Sequence, residues 1–474
     1  MRNRPPRHEA GAPDRQAASA QAPEERCDRV TRSASGASCR IVLERVRHRR
    51  PAMKRKALAV ALATLGLVSA GPSAVAAAAD PAMIAARQKI FGFENVDPRT
   101  GEVDKGKVVF SWLGHISGAV SIGGRVIMLD TYVPRLEVTP GRTPFVIKDL
   151  VDIKPEAAFI GHGHSDHADN AAFIAAKTGM TLYMTPEACG TAQTALTRMK
   201  NDPFMQADPF YAIPQGTTID CVGITTAGST PGTQVVRIDQ LEPVACIVGF
   251  RALHSISVPV DPDWGLNAVV DTPDPRDPTL FPPGVPLTPT NPRQPGQQDL
   301  RQGSGPGGAD ELNFQIIMRG GHNFTLFFNN SVGAMKEGKG SNWPNGTPAD
   351  GQRILDLVRS LPPTDLAFST LSSGNTDLNG WRDHVYWAQA LKPKIMTTGH
   401  APIGAALQYY SGFLSQLKLM EAPRNAWPGF PHEEWPIVRN HTDPTDVLKP
   451  EVFDVNDPAW LNPHKAQTIK QFCK

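Results

Sequence analysis

Within six positions, His162-Gly163-His164-Ser165-Asp166-His167 offers three imidazoles and one carboxylate. Neutral imidazole nitrogen and carboxylate oxygen are the donors that hold zinc and similar divalent ions. The array follows a short apolar run, residues 157–160, that reads as a buried strand. Residues two apart on an extended backbone share a face, so His162 and His164 point together. Asp166 and His167 come where the chain bends toward a helix expected over 170–177. One segment can therefore serve two adjacent metal positions. The bland alternative is a solvated polar loop, and it fits poorly, because crowding four ionisable groups without a partner is costly.

The rest of the chain bounds what can form around this segment. Met53-Lys54-Arg55-Lys56 opens an uncharged run, residues 57–76, that closes on Ala74-Val75-Ala76. A basic start, an apolar middle and a small-residue exit are the plan of a secretory signal, here 53–76, and imply a secreted or periplasmic mature chain. An uncleaved anchor is the other reading, weakened by the alanine content of the run. Residues 1–52 are rich in Arg, Ala and Pro without hydrophobic periodicity. They read as a disordered upstream extension, consistent with a start assigned too early.

Charge follows the same division. Residues 1–52 hold twelve arginines against six acidic residues, and Lys54, Arg55 and Lys56 add three more positive charges. A chain of +2 therefore leaves −7 beyond Ala76, which gives no reason to expect a nucleic-acid partner. Cys189, Cys221, Cys246 and Cys473 lie in that remainder; an even count in an exported chain permits disulfides in three pairings, and buried free thiols are the alternative. No later stretch is long and apolar enough to span a bilayer.

After a lead-in at 77–107, strands are expected at 108–113 and 125–129, joined as a hairpin by Gly123-Gly124. Gly114-His115 follows the first and Asp130 ends the second. Strand–helix alternation continues through 181–184, and Thr185-Pro186 opens a helix. Further β segments are expected at 217–222, 234–238 and 245–253, the last ending at His254. Residues 259–309 are rich in Pro and Gly and read as a long insertion beside the site. A second hairpin spans 313–318 and 324–328. Helices and strands then alternate to Gly399-His400, and an amphipathic helix covers 403–420. The tail, 421–474, is expected to wrap the surface. Hairpins followed by strand–helix alternation, given twice, imply an α/β fold of two mixed sheets face to face with helices outside: a four-layer αββα sandwich over 108–420.

His115, His162, His164, His167, His254 and His400 all follow apolar strands, which suggests strand ends converging on one edge. On the residues of His162–His167, with His254 and His400 in matching order and context, the chain resembles the metallo-β-lactamase superfamily. The opening Trp112-Leu113-Gly114-His115 and the closing residues 392–400 look most like the branch of ascorbate-phosphate lactonases and N-acyl-phosphatidylethanolamine phospholipase D. The resemblance implies one metal held by His162, His164 and His254 and another by Asp166, His167 and His400. A hydroxide bridging them would be the nucleophile, with Asp166 as the catalytic residue that also orients it. It implies zinc, one or two ions, with manganese or iron as alternatives. One departure stands out. Where the family carries a bridging Asp, residues 327–331 place Asn330, whose amide brings no charge; Asp310 or Asp377 is an alternative acid. Asn330, His115 and Asp130 are thus read as either metal donors or supports and substrate-facing groups.

These features imply an exported metal-dependent hydrolase (EC 3.-) acting on an ester, lactone or phosphodiester in a small or lipid-like molecule. The alternatives are a metal- or ligand-binding protein whose catalysis was lost through Asn330, and a β-lactamase. Substrate identity and oligomeric state leave no mark in the sequence.

Overall fold

The computed structural model describes residues 42–46, 80–132, 145–226, 228–257, 261, 308–372, 376–400, 406–419, 437–441 and 449–474. The expected signal 53–76 lies outside these residues. So does the insertion 259–309, save Asp261 and residues 308–309. The upstream extension lies outside too, with one exception: Val42–Val46 forms a strand, β1.

In chain order β1 precedes helix α1 (Pro81–Phe91), which starts where the Asp80 carboxylate accepts the N–H of Ala82. Three antiparallel strands follow, β2 (Lys107–Trp112), β3 (Gly118–Ile122) and β4 (Arg125–Leu129). The single hairpin expected here is thus a three-strand meander, and Gly123-Gly124 joins β3 to β4. Both glycines have positive φ, 54° and 81°, as that tight turn demands. The strand was hidden because all five residues of β3 are buried, so it shows no alternation, and Gly118 lets the Phe110 ring lie against its backbone.

Helix α2 (Ile147–Asp152) leads to β5 (Ala157–Phe159), followed by the short α3 (Ser165–Ala168) and α4 (Ala171–Thr178). Strand β6 (Thr181–Met184), helices α5 (Pro186–Lys200) and α6 (Pro203–Ala207), and β7 (Cys221–Gly223) complete this half. β4 through β7 are parallel neighbours. The second half runs β8 (Gln234–Ile238), β9 (Ala245–Arg251), β10 (Leu312–Met318) and β11 (Thr325–Asn329), all antiparallel. Then α7 (Pro348–Ser360), β12 (Leu366–Thr370), α8 (Thr376–Asn379), α9 (Arg382–Leu391), β13 (Ile395–Gly399), α10 (Ala406–Leu419) and β14 (Ile437–Asn440) extend it in parallel. β15 (Glu451–Asp454) and α11 (Lys465–Phe472) close the described chain.

Two sheets result. One has the order β15-β2-β3-β4-β5-β6-β7, the other β1-β8-β9-β10-β11-β12-β13-β14. Their faces meet through aromatic contacts, Phe110 to Phe368 at 4.8 Å and Phe159 to Phe314 at 5.3 Å between ring centroids. Along β10 the period of two sends Leu312, Phe314 and Ile316 into this shared core and Ile317 to the opposite face. That face is covered by α7, α9 and α10 through Ile354, Val358, Val385 and Phe413. On the first sheet, Phe173 and Ile174 of α4 and Leu196 of α5 cover the outer side. This is the αββα arrangement the sequence pattern implies.

Two segments take more part in the fold than their sequences suggest. β1 pairs in parallel with β8, whose edge otherwise presents unspent N–H and C=O groups. The tail does not merely cover the surface: β14 joins the second sheet, β15 pairs with β2 in the first, and buried Lys465 meets buried Asp365. Cys189 is bonded to Cys221 and Cys246 to Cys473, with Cα separations of 5.7 and 5.8 Å. No helix among the described residues is long and apolar enough to cross a membrane.

Candidate metal centre

Strand ends converge as the histidine pattern suggests. His115 follows β2, Asp130 follows β4, the array His162–His167 follows β5, His254 follows β9, Asn330 follows β11 and His400 follows β13. The donors form two groups, His162 with His164 and His254, and His115 with Asp166, His167 and His400; within each, the donor atoms lie within 4.8 Å of one another. The groups are adjacent, for the His162 and His167 rings pack at 4.0 Å.

Partners behind the rings fix which nitrogen carries the proton. Nδ1 of His162 faces Oδ1 of Asn330 at 2.9 Å and Oε2 of Glu311 at 3.0 Å. An amide oxygen only accepts, so Nδ1 is the N–H and Nε2 a bare lone pair. His254 donates Nδ1–H to the Ser255 carbonyl at 2.9 Å. His167 directs Nδ1 to Oδ2 of Asp130 at 2.8 Å. The bare Nε2 atoms of His162 and His254 then face one another at 3.2 Å, and in the second group Nε2 of His167 and Nε2 of His400 lie 3.2 Å apart.

Lone pairs so placed repel unless a cation lies among them. Protonating a ring is the other remedy, and the site opposes it. Burial, with neighbouring imidazoles, pushes His162 and His167 well below the usual histidine range, and burial brings His115 and His254 to about 4. Burial alone would raise Asp166. The imidazoles of His167, His115 and His400 outweigh it and hold that carboxyl far below its ordinary range. Neutral imidazoles with one ionised carboxylate are what a divalent ion requires of its donors, so the residues fit.

Asn330 does not stand where a bridging acid would. It is fully buried behind the rings, and its Nδ2 donates to Oδ2 of Asp130 at 2.7 Å. A chain of contacts, His162–Asn330–Asp130–His167, thus links one imidazole of each group from the rear. Gly161 makes room for it, since a Cβ there would lie 2.3 Å from the amide. Asp130 also accepts the Gly161 N–H at 3.0 Å and supports His167 rather than reaching the donors. Asp310 is turned to Arg251 and belongs to neither group, and the side chain of Asp377 lies outside the description.

Three supports left no mark in the sequence. Glu311 is fully buried against His162, just ahead of β10, where it reads as an ordinary strand boundary. Ser341 Oγ lies 2.7 Å from Nδ1 of His254, and Asn342 accepts the His254 N–H, both from a loop without motif.

No protein-family model matches the chain. A UPF0173 metal-dependent hydrolase of Methanopyrus kandleri is 31% identical over 72 residues, which are 15% of this chain and 28% of that protein. The chain thus matches little more than a quarter of that relative's length. Among solved structures, it is similar to Igni18, a metallo hydrolase of Ignicoccus hospitalis, with 12% identity over 73% of this chain and 98% of that one and a TM-score of 0.39. It is also similar to YhfI, a metallo-beta-lactamase fold protein of Bacillus subtilis, with 9% identity, the same coverages and a TM-score of 0.34. CmlA, a diiron beta-hydroxylase of Streptomyces venezuelae, shares 12% identity over 73% of this chain and 54% of its own, with a TM-score of 0.34. Superpositions this loose assign no role to any residue here.

Proposed function

We propose that this chain is a metal-dependent hydrolase that cleaves an ester, lactone or phosphodiester bond in a small or lipid-like molecule. The observation that carries the reading is the lone-pair collision of His162 and His254 at 3.2 Å, beside a second group of three imidazoles and a carboxylate at the same edge of the sandwich. His162, His164 and His254 would hold one divalent ion, and Asp166, His167 and His400, joined by His115, a second. Zinc suits the donors best, with manganese or iron as alternatives. When bound, such ions act as Lewis acids on the scissile group and make water a nucleophile near neutral pH.

The protein's own groups do the rest. The Asp166 side chain is 43% exposed while the imidazoles beside it are largely buried, so it is the acceptor that meets water arriving from solvent. Its carboxylate stays ionised and orients that water. Asp130, Glu311 and Ser341 hold the imidazoles against rotation.

Metal content of the purified chain and turnover of a panel of lactones, phosphodiesters and a cephalosporin test this. Bound divalent metal is expected, with hydrolysis that disappears in His164→Ala. A chain without metal after zinc or manganese supplementation, or activity surviving His164→Ala, would refute it. Two disulfides support maturation in an oxidising compartment, as the expected signal 53–76 implies. Amino-terminal sequencing of the exported protein checks that, with a start just after Ala76 expected.

A further inference from the structure

The two groups differ in what the protein itself brings: three imidazoles in one, three imidazoles and a carboxylate in the other. On the reading that both bind divalent ions, we propose that the sites are unequal by construction. His115 closes the second site as its fourth protein donor, and the three-histidine site keeps a position open for an outside ligand.

The spacing of the second group supports this. Donors bound tetrahedrally at zinc-like bond lengths sit about 3.3 Å apart. Oδ2 of Asp166 lies 3.3 Å from Nε2 of His115, 3.4 Å from Nε2 of His167 and 3.5 Å from Nε2 of His400. Nε2 of His167 and His400 are 3.2 Å apart. Four edges of the six in a tetrahedron are therefore at length before any ion enters, and His115 supplies one of them.

The backbone is shaped to deliver His115. Its φ is 51°, in the left-handed region that persists in a non-glycine residue only where the surroundings over-determine it. They do so here. The His115 carbonyl accepts the His400 N–H at 2.9 Å and the Trp112 indole N–H at 2.8 Å. His400 is itself left-handed at 65°. Gly399 permits the approach, since a Cβ there would lie 2.5 Å from the His115 oxygen. The two imidazoles thus come as a braced pair, with rings 4.1 Å apart.

Nothing among the described residues competes for a shared carboxylate between the sites, because Asn330 faces Asp130 and His162 from behind. Asp166 sets its one contacting oxygen against all three imidazoles of its own group. Protein metal sites with four side-chain ligands are closed, and those with three leave room for water or substrate. By that rule an incoming anion goes to the site of His162, His164 and His254.

Cobalt(II) and azide test the proposal. The metal-stripped full chain is reconstituted with cobalt, and bound cobalt and visible absorption are read with and without azide. Two cobalt ions per chain are expected, with azide shifting the bands of one; His254→Ala should lose the shifted bands. His115→Gly relieves the φ and removes the donor, and His115→Asn tolerates the same backbone. In both, the second ion should bind about tenfold more weakly or worse, and any that remains should respond to azide. Azide perturbing both ions in the wild type would overturn the proposal, as would His115 variants that keep two ions with unchanged affinity and response. The wild-type arm decides alone should neither variant fold. A wild type that binds no cobalt overturns the hydrolase reading itself, and this proposal with it.

Discussion

Asn330 shows how one amide can matter through its direction. Its oxygen accepts from His162 and its nitrogen donates to Asp130, so the side chain reconciles an imidazole of one group with a carboxylate serving the other. Replacing it by the acid that a bridging role would call for sets two carboxylate oxygens 2.7 Å apart in a fully buried place. Asn330→Asp should therefore gain no metal and lose about 1–3 kcal/mol of stability, read as a fall in the denaturant midpoint. A variant that bound more metal at unchanged stability would contradict this account. Glu311→Gln keeps the shape behind His162 and replaces its carboxyl group by an amide. Metal affinity should drop about 10–100-fold in a competition titration with a chromophoric chelator, and an unchanged affinity would assign Glu311 to packing alone.

At the level of elements, the residues that follow strands could be read from sequence, because a polar residue closing an apolar run marks where a sheet stops. Strands β5, β9 and β13 announced His162, His254 and His400 in this way, and the structure brings them to one edge. What stayed hidden has a physical reason in each case. β3 is buried on both faces and so lacks alternation. Glu311 acts across the sandwich, on a residue 149 positions away, and local pattern does not report such a distance. The tail looked peripheral because prolines and tryptophans obscure its two short strands, yet α11 is pinned through Cys473 to Cys246 on β9. That disulfide closes a separation of 227 residues. Cys473→Ser should cost about 2–5 kcal/mol and loosen α11, seen as a lower melting temperature and faster amide exchange over residues 465–472. Melting that matched the wild type would show that the packing of Lys465 and Phe472 suffices.

For the whole molecule, stability and metal should be linked. An ion that binds the folded chain and not the unfolded one stabilises it by RT ln(1 + [L]/Kd), about 2.7 kcal/mol at a hundredfold excess over Kd. Chelation followed by zinc titration should therefore lower and then restore the melting temperature, with the gain growing as the logarithm of free zinc. A melting temperature indifferent to zinc would place the ions outside the fold's energetics.

Each group of donors draws on both sheets. His162 and His164 come from the first and His254 from the second; His115, Asp166 and His167 come from the first and His400 from the second. Successive strands β14 and β15 also enter opposite sheets, and they do so toward the edge that bears these donors: Asn440 ends β14 beside Thr398, and Glu451 starts β15 opposite Phe110. Ions held there would join the two layers at the edge where the chain itself passes from one sheet to the other. Emptied of metal, that edge still has the chain passing between its layers, so the freedom gained should be local to the histidine-bearing strand ends rather than a parting of the sheets.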